Sequence, residues 1–171
     1  MEGTRLSYIR QPGGQEMTIE EALRQERLGS LHPAASVSVA EGATLREALA
    51  AMRAAGGAAV LVCRDGRAVG IFTERDVLNK LYEGEVDDRQ PIDRFMTRNP
   101  VALTLEATLG EAVRLMAEHG YRHVALEDGS GKSAGCLSAH DIVRYVAEHF
   151  PTEVANLPPG LRQDFVTPEG A

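Results

Sequence analysis

The chain writes one unit twice. Thr44-Leu45, Glu47-Ala48, Met52, Gly56 and Val60 recur as Thr108-Leu109, Glu111-Ala112, Met116, Gly120 and Val124, at a constant spacing of 64 residues. Downstream, Gly70-Ile71-Phe72-Thr73-Glu74-Arg75-Asp76-Val77 recurs as Gly135-Cys136-Leu137-Ser138-Ala139-His140-Asp141-Ile142 at a spacing of 65, so the second copy holds one extra residue between the blocks. A repeat of this length is a duplicated supersecondary unit whose copies must bury their apolar faces against each other. Any ligand site is therefore expected at the seam between copies.

Hydrophobic periodicity and turn residues fill in each copy. The alternating Val37-Ser38-Val39 predicts a short strand. Thr44-x-x-Glu47 is a capping box, and Leu45, Ala48, Leu49 and Met52 make one buried helical stripe that ends at Gly56-Gly57. Ala58 to Cys63 predicts a strand, Asp65-Gly66 a hairpin turn, Ala68 to Phe72 the returning strand, and Glu74 to Tyr82 a second helix. Copy two repeats this order, with strands at Val101 to Leu103, Val124 to Leu126 and Ala134 to Leu137. Its helices follow Thr108 and Ala139, the last with a stripe of Ile142, Val146 and Phe150. The expected organisation is an N-terminal arm and helix at 1–30, copy one at 31–84, a polar linker at 85–94, copy two at 95–150 and a Pro-containing tail at 151–171. The arm reads as loosely docked up to residue 16. A capping box at Thr18 and Glu21 then opens a helix to about Leu28, closed by Gly29 and belonging to neither copy. The tail's Leu157, Leu161, Phe165 and Val166 are candidates for docking on a partner surface. The fold class is α+β: two β-α-β-β-α repeats packed sheet to sheet, with short three-stranded sheets and helices outside.

Composition narrows the function. A net charge of −7 argues against non-specific nucleic-acid binding, which rests on a basic surface, but leaves room for one small anion held by local donors. Cys63 and Cys136 lie in apolar strand runs without a Cys-x-x-Cys partner, and read as reduced buried thiols. No run approaches the roughly 18 apolar residues of a membrane span, and no apolar signal region opens the chain. A soluble cytoplasmic protein is expected, with no membrane and no nucleic acid among its partners.

The repeated exit motif carries two readings. Thr73-x-x-Asp76 and Ser138-x-x-Asp141 are capping boxes, a common local device. Each also opens a helix directly from a strand end, where amides and the helix dipole favour an anion. There a hydroxyl can donate to phosphate, and the aspartate one turn on can accept from the hydroxyls of a ribose.

The double Gly-x-x-[ST]-x-x-Asp exit, with Arg94-Phe95-Met96-Thr97-Arg98-Asn99-Pro100-Val101 entering copy two, resembles a tandem pair of CBS (cystathionine-β-synthase) domains, or Bateman module, over roughly Leu31 to Phe150. That resemblance implies an adenosine derivative (AMP, ADP, ATP or S-adenosylmethionine) in clefts between the repeats. It allows magnesium to accompany the phosphates, and requires no cofactor. It also implies a homodimer of two pairs and an unknown regulated protein. Thr73 and Ser138 would face phosphate, Asp76 and Asp141 would hold ribose, and Val37, Val101, Val60 and Val124 would flank adenine. Tyr121-Arg122-His123 replaces the Gly57-Ala58-Ala59 of copy one, which makes Arg122 and His123 the leading charge donors, with Arg75 and His140 as further candidates. Set beside Ser138 and Asp141, they make copy two the better expected site and copy one its weaker twin.

No catalytic constellation stands out. There is no Gly-x-Ser-x-Gly elbow, phosphate loop or His-Glu-x-x-His motif, and His32, His119, His123, His140 and His149 are scattered. The expected function is a regulatory nucleotide-binding module that signals by reorienting repeats or dimer. The alternatives are an adaptor that kept the fold without the ligand, and a small α/β enzyme centred on His123 and Asp141.

Overall fold

The computed structural model describes residues 9–10, 16–31, 37–81 and 86–151. Ahead of the repeats, β1 (Ile9–Arg10) pairs antiparallel with β2 (Glu16–Met17), followed by α1 (Ile19–Gln25) and a single 3-10 turn at Leu28–Ser30. The arm thus carries a short strand pairing that its sequence did not suggest; the docking residues expected in the tail lie outside the described residues. Copy one comprises β3 (Val37–Ala40), α2 (Leu45–Ala55), β4 (Ala59–Arg64), β5 (Arg67–Thr73) and α3 (Glu74–Leu81). A two-residue strand, β6 (Thr97–Arg98), precedes copy two, which comprises β7 (Ala102–Thr104), α4 (Leu109–His119), β8 (His123–Glu127), β9 (Ser133–Ser138) and α5 (Ala139–His149). The fold is α+β, two β-α-β-β-α units related by a pseudo-two-fold axis, as the repeat predicts.

The copies repeat the same elements in the same order. Both α2 and α4 open with the expected capping box and close at a glycine in the left-handed region, Gly56 (φ 59°) and Gly120 (φ 65°), where a Cβ would be strained. In both, the first strand runs parallel to the second and the third returns antiparallel, with an irregularity at Val62/Cys63 and again at Leu126/Glu127. The residue that shifts the spacing from 64 to 65 lies in the second hairpin: residues 64–67 separate the paired Cys63 and Ala68, whereas residues 128–132 separate Glu127 and Ser133.

Strand alternation divides the apolar residues between two kinds of interior. On the helix side, Val60, Val62 and Phe72 pack with Leu45, Ala48 and Met52, and Val124, Leu126 and Leu137 pack with Leu109, Ala112 and Met116. On the other side, Leu61, Ile71 and Ala125 form the seam between the sheets, with Ala59, Cys63, Ala68, Ala102 and Cys136 around them. Cys63 and Cys136 form no disulfide, and burial pushes the Cys136 thiol up to about 12. At the far end of the seam the hairpins clasp: the Arg67 guanidinium donates to the carbonyls of Ser130 (2.9 Å) and Gly131 (3.1 Å), and the Ser133 N–H donates to Gly66 O (2.7 Å).

Three expectations need correcting. First, α1 ends at Gln25 and the chain passes through an extended Glu26, so Gly29 sits inside the 3-10 turn instead of closing a helix. Second, the N-terminal helix does not stand apart. Leu28 N–H donates to Ala107 O (3.0 Å) and Leu109 N–H to Glu26 O (2.9 Å), so this lead segment seals the helix side of copy two. The segment 86–96 does the same for copy one, with Ile92 N–H on Ala43 O (2.7 Å) and Leu45 N–H on Gln90 O (2.9 Å). Leu28 and Ile92, 64 apart, are both fully buried. The expected polar linker is therefore a docked core element from Val86 onward, because its apolar residues Val86 and Ile92, with Met96 just beyond it, complete the interior of copy one. Third, β6 adds a fourth strand to the first sheet (order β3-β4-β5-β6), so the entrance of copy two is paired with copy one.

Helix α1 packs against α4 at Gly110. A Cβ there would stand 2.8 Å from the Leu23 carbonyl oxygen, a backbone atom that cannot step aside. Alanine in place of a helical glycine contributes about 1 kcal/mol of propensity, and overpacking costs about 1–3 kcal/mol. Gly110→Ala is expected to lose stability on balance in urea denaturation; a clear gain would contradict the α1–α4 contact.

Candidate functional site

The exit of each copy is a strand that runs straight into a helix cap. In copy one, Thr73 N–H and Oγ1 both donate to Asp76 Oδ2 (2.9 and 2.7 Å), Asp76 N–H returns to Thr73 Oγ1 (3.4 Å), and Lys80 Nζ pairs with Asp76 Oδ1 (2.7 Å). In copy two, Ser138 N–H and Oγ donate to Asp141 Oδ2 (2.9 and 2.6 Å), Asp141 N–H returns to Ser138 Oγ (3.1 Å), and Arg144 pairs with Asp141 Oδ1 (2.7 Å). The capping reading is realised at both. The hydroxyl hydrogens are committed to the carboxylates, and reach a phosphate only by rotating away from them.

The two exits part company in their surroundings. A cleft of about 510 Å³ opens beside the copy-one exit, within the size range of small-molecule sites. Thr73, Glu74, Arg75, Asp76, Leu78 and Ile71 line one wall. Thr97, Arg98, Asn99, Pro100 and Val101 from the entrance of copy two line another, and Tyr121 and Arg122 ahead of β8 close it with His123 at the strand's start. The cleft therefore joins the hydroxyl–aspartate pair of copy one to the basic residues of copy two. Arg122 and His123, expected beside Ser138 and Asp141, keep that neighbour through the strand register of His123 with Ser138 and also line the cleft at the opposite exit. The parallel β7–β8 arrangement places the start of β8 over the seam, where it faces the opposite copy's exit as well as its own.

Of the expected site residues, Thr73, Asp76, Arg75, Arg122, His123 and Val101 come together in this cleft; Ser138, Asp141 and His140 do not. Asp141 lines a separate, polar depression of about 520 Å³ with Glu26, Ser30, Leu31, Arg144, Tyr145, Glu148 and His149. There burial, with the charge and hydrogen bond of Glu26, pushes the Tyr145 hydroxyl up to about 12. Val60 and Val124 are buried on the helix side of their sheets, and Val37 packs against the Val60 cluster, because their parity along the strands turns them away from the seam. Ile71, Leu78 and Val101 supply the apolar wall instead.

Local charge is set by arginines in an acidic chain. Arg75 reaches across the seam to donate to Gly120 O (3.2 Å), and Arg98 donates to Asp93 O (3.1 Å). The His123 imidazole is held below its ordinary pKa, chiefly by burial and also by Arg122 and Arg75, against the opposing pull of Glu74 and Asp141. It is thus neutral near pH 7. Among the described residues no three His, Cys, Asp or Glu side chains are grouped to hold a metal ion, and no helix is long and apolar enough to cross a membrane.

Ile71, Arg98 and Asn99 were not among the expected ligand contacts, and Tyr121 was noted only as a neighbour of Arg122 and His123. A signal existed for two of them: by the repeat spacing Arg98 stands against Ala34, and Tyr121 against Gly57. Asn99 adopts a positive φ of 47°, which asparagine tolerates better than most residues and which turns the chain into β7 beside the cleft.

Comparison with known proteins agrees with this fold. An uncharacterized 17.7 kDa protein of Acidianus ambivalens is 30% identical over 88 residues, covering 52% of this chain and 52% of that one. This chain spans about half the length, or less, of the curated relatives it matches first. A CBS-domain-containing protein of Agrobacterium tumefaciens superposes with a TM-score of 0.62 at 29% identity, over 70% of this chain and 97% of that one. A CBS domain protein of Pyrobaculum aerophilum, complexed with AMP, gives a TM-score of 0.63 at 24% identity, over 71% of this chain and 98% of its own; at that identity it shows the shared fold. The family model for the CBS domain matches residues 34–83 and again 92–148, more than half of the chain, so the protein belongs to the CBS domain family as a tandem pair.

Proposed function

We propose that the chain is a regulatory module that binds an adenosine nucleotide (AMP, ADP or ATP) in the cleft between its two copies. The observation that carries this reading is the composition of the cleft: a hydroxyl–aspartate helix entrance from copy one, an apolar wall, and arginines from copy two. An apolar wall suits a purine, a carboxylate suits ribose hydroxyls, and guanidinium groups suit phosphates. The Pyrobaculum aerophilum protein of the same fold is complexed with AMP, which supports the ligand class. A ligand spanning the seam touches both copies, so it favours whichever relative orientation it fits best, and its effect is bounded by its differential affinity for the two. The readout in this reading is a homodimer presenting its surface to a regulated protein. Leu78 and Val143, at equivalent positions of α3 and α5 and 69% and 63% exposed, are the side chains on which that assembly would rest.

Calorimetric titration with AMP, ADP and ATP tests the reading. Micromolar-range binding of at least one is expected; no heat and no thermal stabilisation from any of them would remove it.

A pH dependence follows from His123. Free, its pKa lies below the ordinary value; a phosphate dianion in the cleft raises it, among the facing charges Glu74, Asp141, Arg122 and Arg75. The complex then binds more protons than its parts, so affinity rises as pH falls through the bound pKa and levels off below the free one. Titration in buffers of different ionisation enthalpy should show proton uptake near pH 6.5 that His123→Asn removes. The same uptake in His123→Asn would assign it to the phosphate instead.

A further inference from the structure

The repeat makes two positions available at the seam, and the chain furnishes them unequally. Beside the Thr73–Asp76 exit stand Arg98, Arg122 and His123. By the repeat spacing their sequence counterparts are Ala34, Ala58 and Ala59, and Ala59 is in register with Thr73 as His123 is with Ser138. The structure supports this correspondence at the strands: Ser38 is in register with Leu61 as Ala102 is with Ala125, and Val60 with Phe72 as Val124 is with Leu137. The two aspartates differ as well. The Asp141 side chain is 5% exposed and lies in the separate polar depression, whereas that of Asp76 is 13% exposed and lines the cleft.

For an anion approaching a chain of net charge −7, local donors decide. Charge-assisted hydrogen bonds to phosphate are roughly twice as strong as neutral ones. Alanine offers none. Resting on the nucleotide reading above, we propose that the chain takes one adenosine nucleotide and not two. The segment Tyr121-Arg122-His123 is the specificity determinant that makes one position a phosphate site and leaves its pseudo-symmetric twin without one.

The determinant can be transplanted. At Gly57 a Cβ would meet its nearest neighbours at 3.7 and 4.0 Å, ordinary contact distances. Ala58 contributes its carbonyl to Glu74 N–H (3.0 Å), as Arg122 does to Ala139 N–H (2.9 Å), so exchanging that side chain leaves the backbone link intact. Calorimetry of the full chain with ATP is expected to give one site. The triple variant Gly57→Tyr, Ala58→Arg, Ala59→His should give two. Arg122→Ala, at an exposed position, keeps the test independent of how the triple variant folds. Loss of a charged hydrogen bond, about 1.5–3 kcal/mol, corresponds to a roughly 10–100-fold fall in ATP affinity with an unchanged melting temperature. Two sites in the parent chain would overturn the inference and leave the nucleotide reading standing. A well-folded triple variant that still binds one ATP, or an unchanged affinity in Arg122→Ala, would overturn the role given to the segment. Absence of binding by AMP, ADP and ATP alike would overturn both proposals.

Discussion

Asp76→Ala is expected to weaken nucleotide binding tenfold or more, whereas Asp141→Ala leaves affinity nearly unchanged. Asp76 faces the cleft, and its carboxylate has acceptor capacity beyond the bonds from Thr73 and Lys80, because an ionised carboxylate offers about four lone-pair positions. A ribose hydroxyl donating to it makes a charged hydrogen bond of about 1.5–3 kcal/mol, and 1.4 kcal/mol is a factor of ten in affinity. The substitution also removes a helix cap, at about 1 kcal/mol, so binding must be measured well below the variant's melting temperature. The Asp141 case separates packing from binding. Its carboxylate is buried, caps α5 and pairs with Arg144, so its removal should lower stability while the cleft on the other exit continues to bind. The reverse pattern, with Asp141 critical and Asp76 dispensable, would return the site to copy two.

Leu28→Ala should cost about 2–5 kcal/mol, a large share of the 5–15 kcal/mol that holds a typical domain together. Leu28 lies outside the repeat in sequence, yet it is fully buried in the interior of copy two with Leu109, Ala112 and Phe150. Its removal leaves a cavity beneath α4 that the docked 3-10 turn cannot collapse to fill, since backbone bonds to Leu105 and Ala107 hold that turn in place. Chemical denaturation measures the loss directly. A change below 0.5 kcal/mol, the range of ordinary surface substitutions, would mean that the lead segment is not part of the core.

Much of the fold was legible because duplication states each rule twice. The Thr44 and Thr108 capping boxes, the glycine helix ends and the hairpin turn all follow from local chemistry, and each prediction could be checked against its twin. What could not be read was which segment seals which copy. Leu28 and Ile92 are single apolar residues in short turns, without periodicity, and only tertiary docking reveals them as core. The docking of residues 86–96 on copy one, and of β6 on β5, is likewise long-range pairing that no local pattern announces.

The site was half legible. The hydroxyl–aspartate exits and the basic segment of copy two are visible in sequence, but their assignment to each other is not. Arg122 and His123 precede Ser138 and Asp141 in the same copy and His123 pairs with Ser138 along the strands; the face-to-face packing of the sheets brings them to Thr73 and Asp76 as well. The valines fail for a different reason. Strand parity decides whether Val60 faces helix or seam, and a continuous apolar run such as Ala59 to Cys63 gives no alternation from which to read it. Val101 reaches the cleft because it precedes β7 at an exposed turn.

The central claim is that one ligand cleft joins the exit of copy one to the entrance and basic segment of copy two. Backbone amide chemical-shift mapping during an ATP titration tests it most directly. The account predicts shifts concentrated at 73–78, 97–101 and 121–123, spreading at most to the hydrogen-bonded 138–139, with residues 141–143 little changed. Shifts centred on Ser138 to Val143, with Thr73 to Leu78 silent, would contradict it.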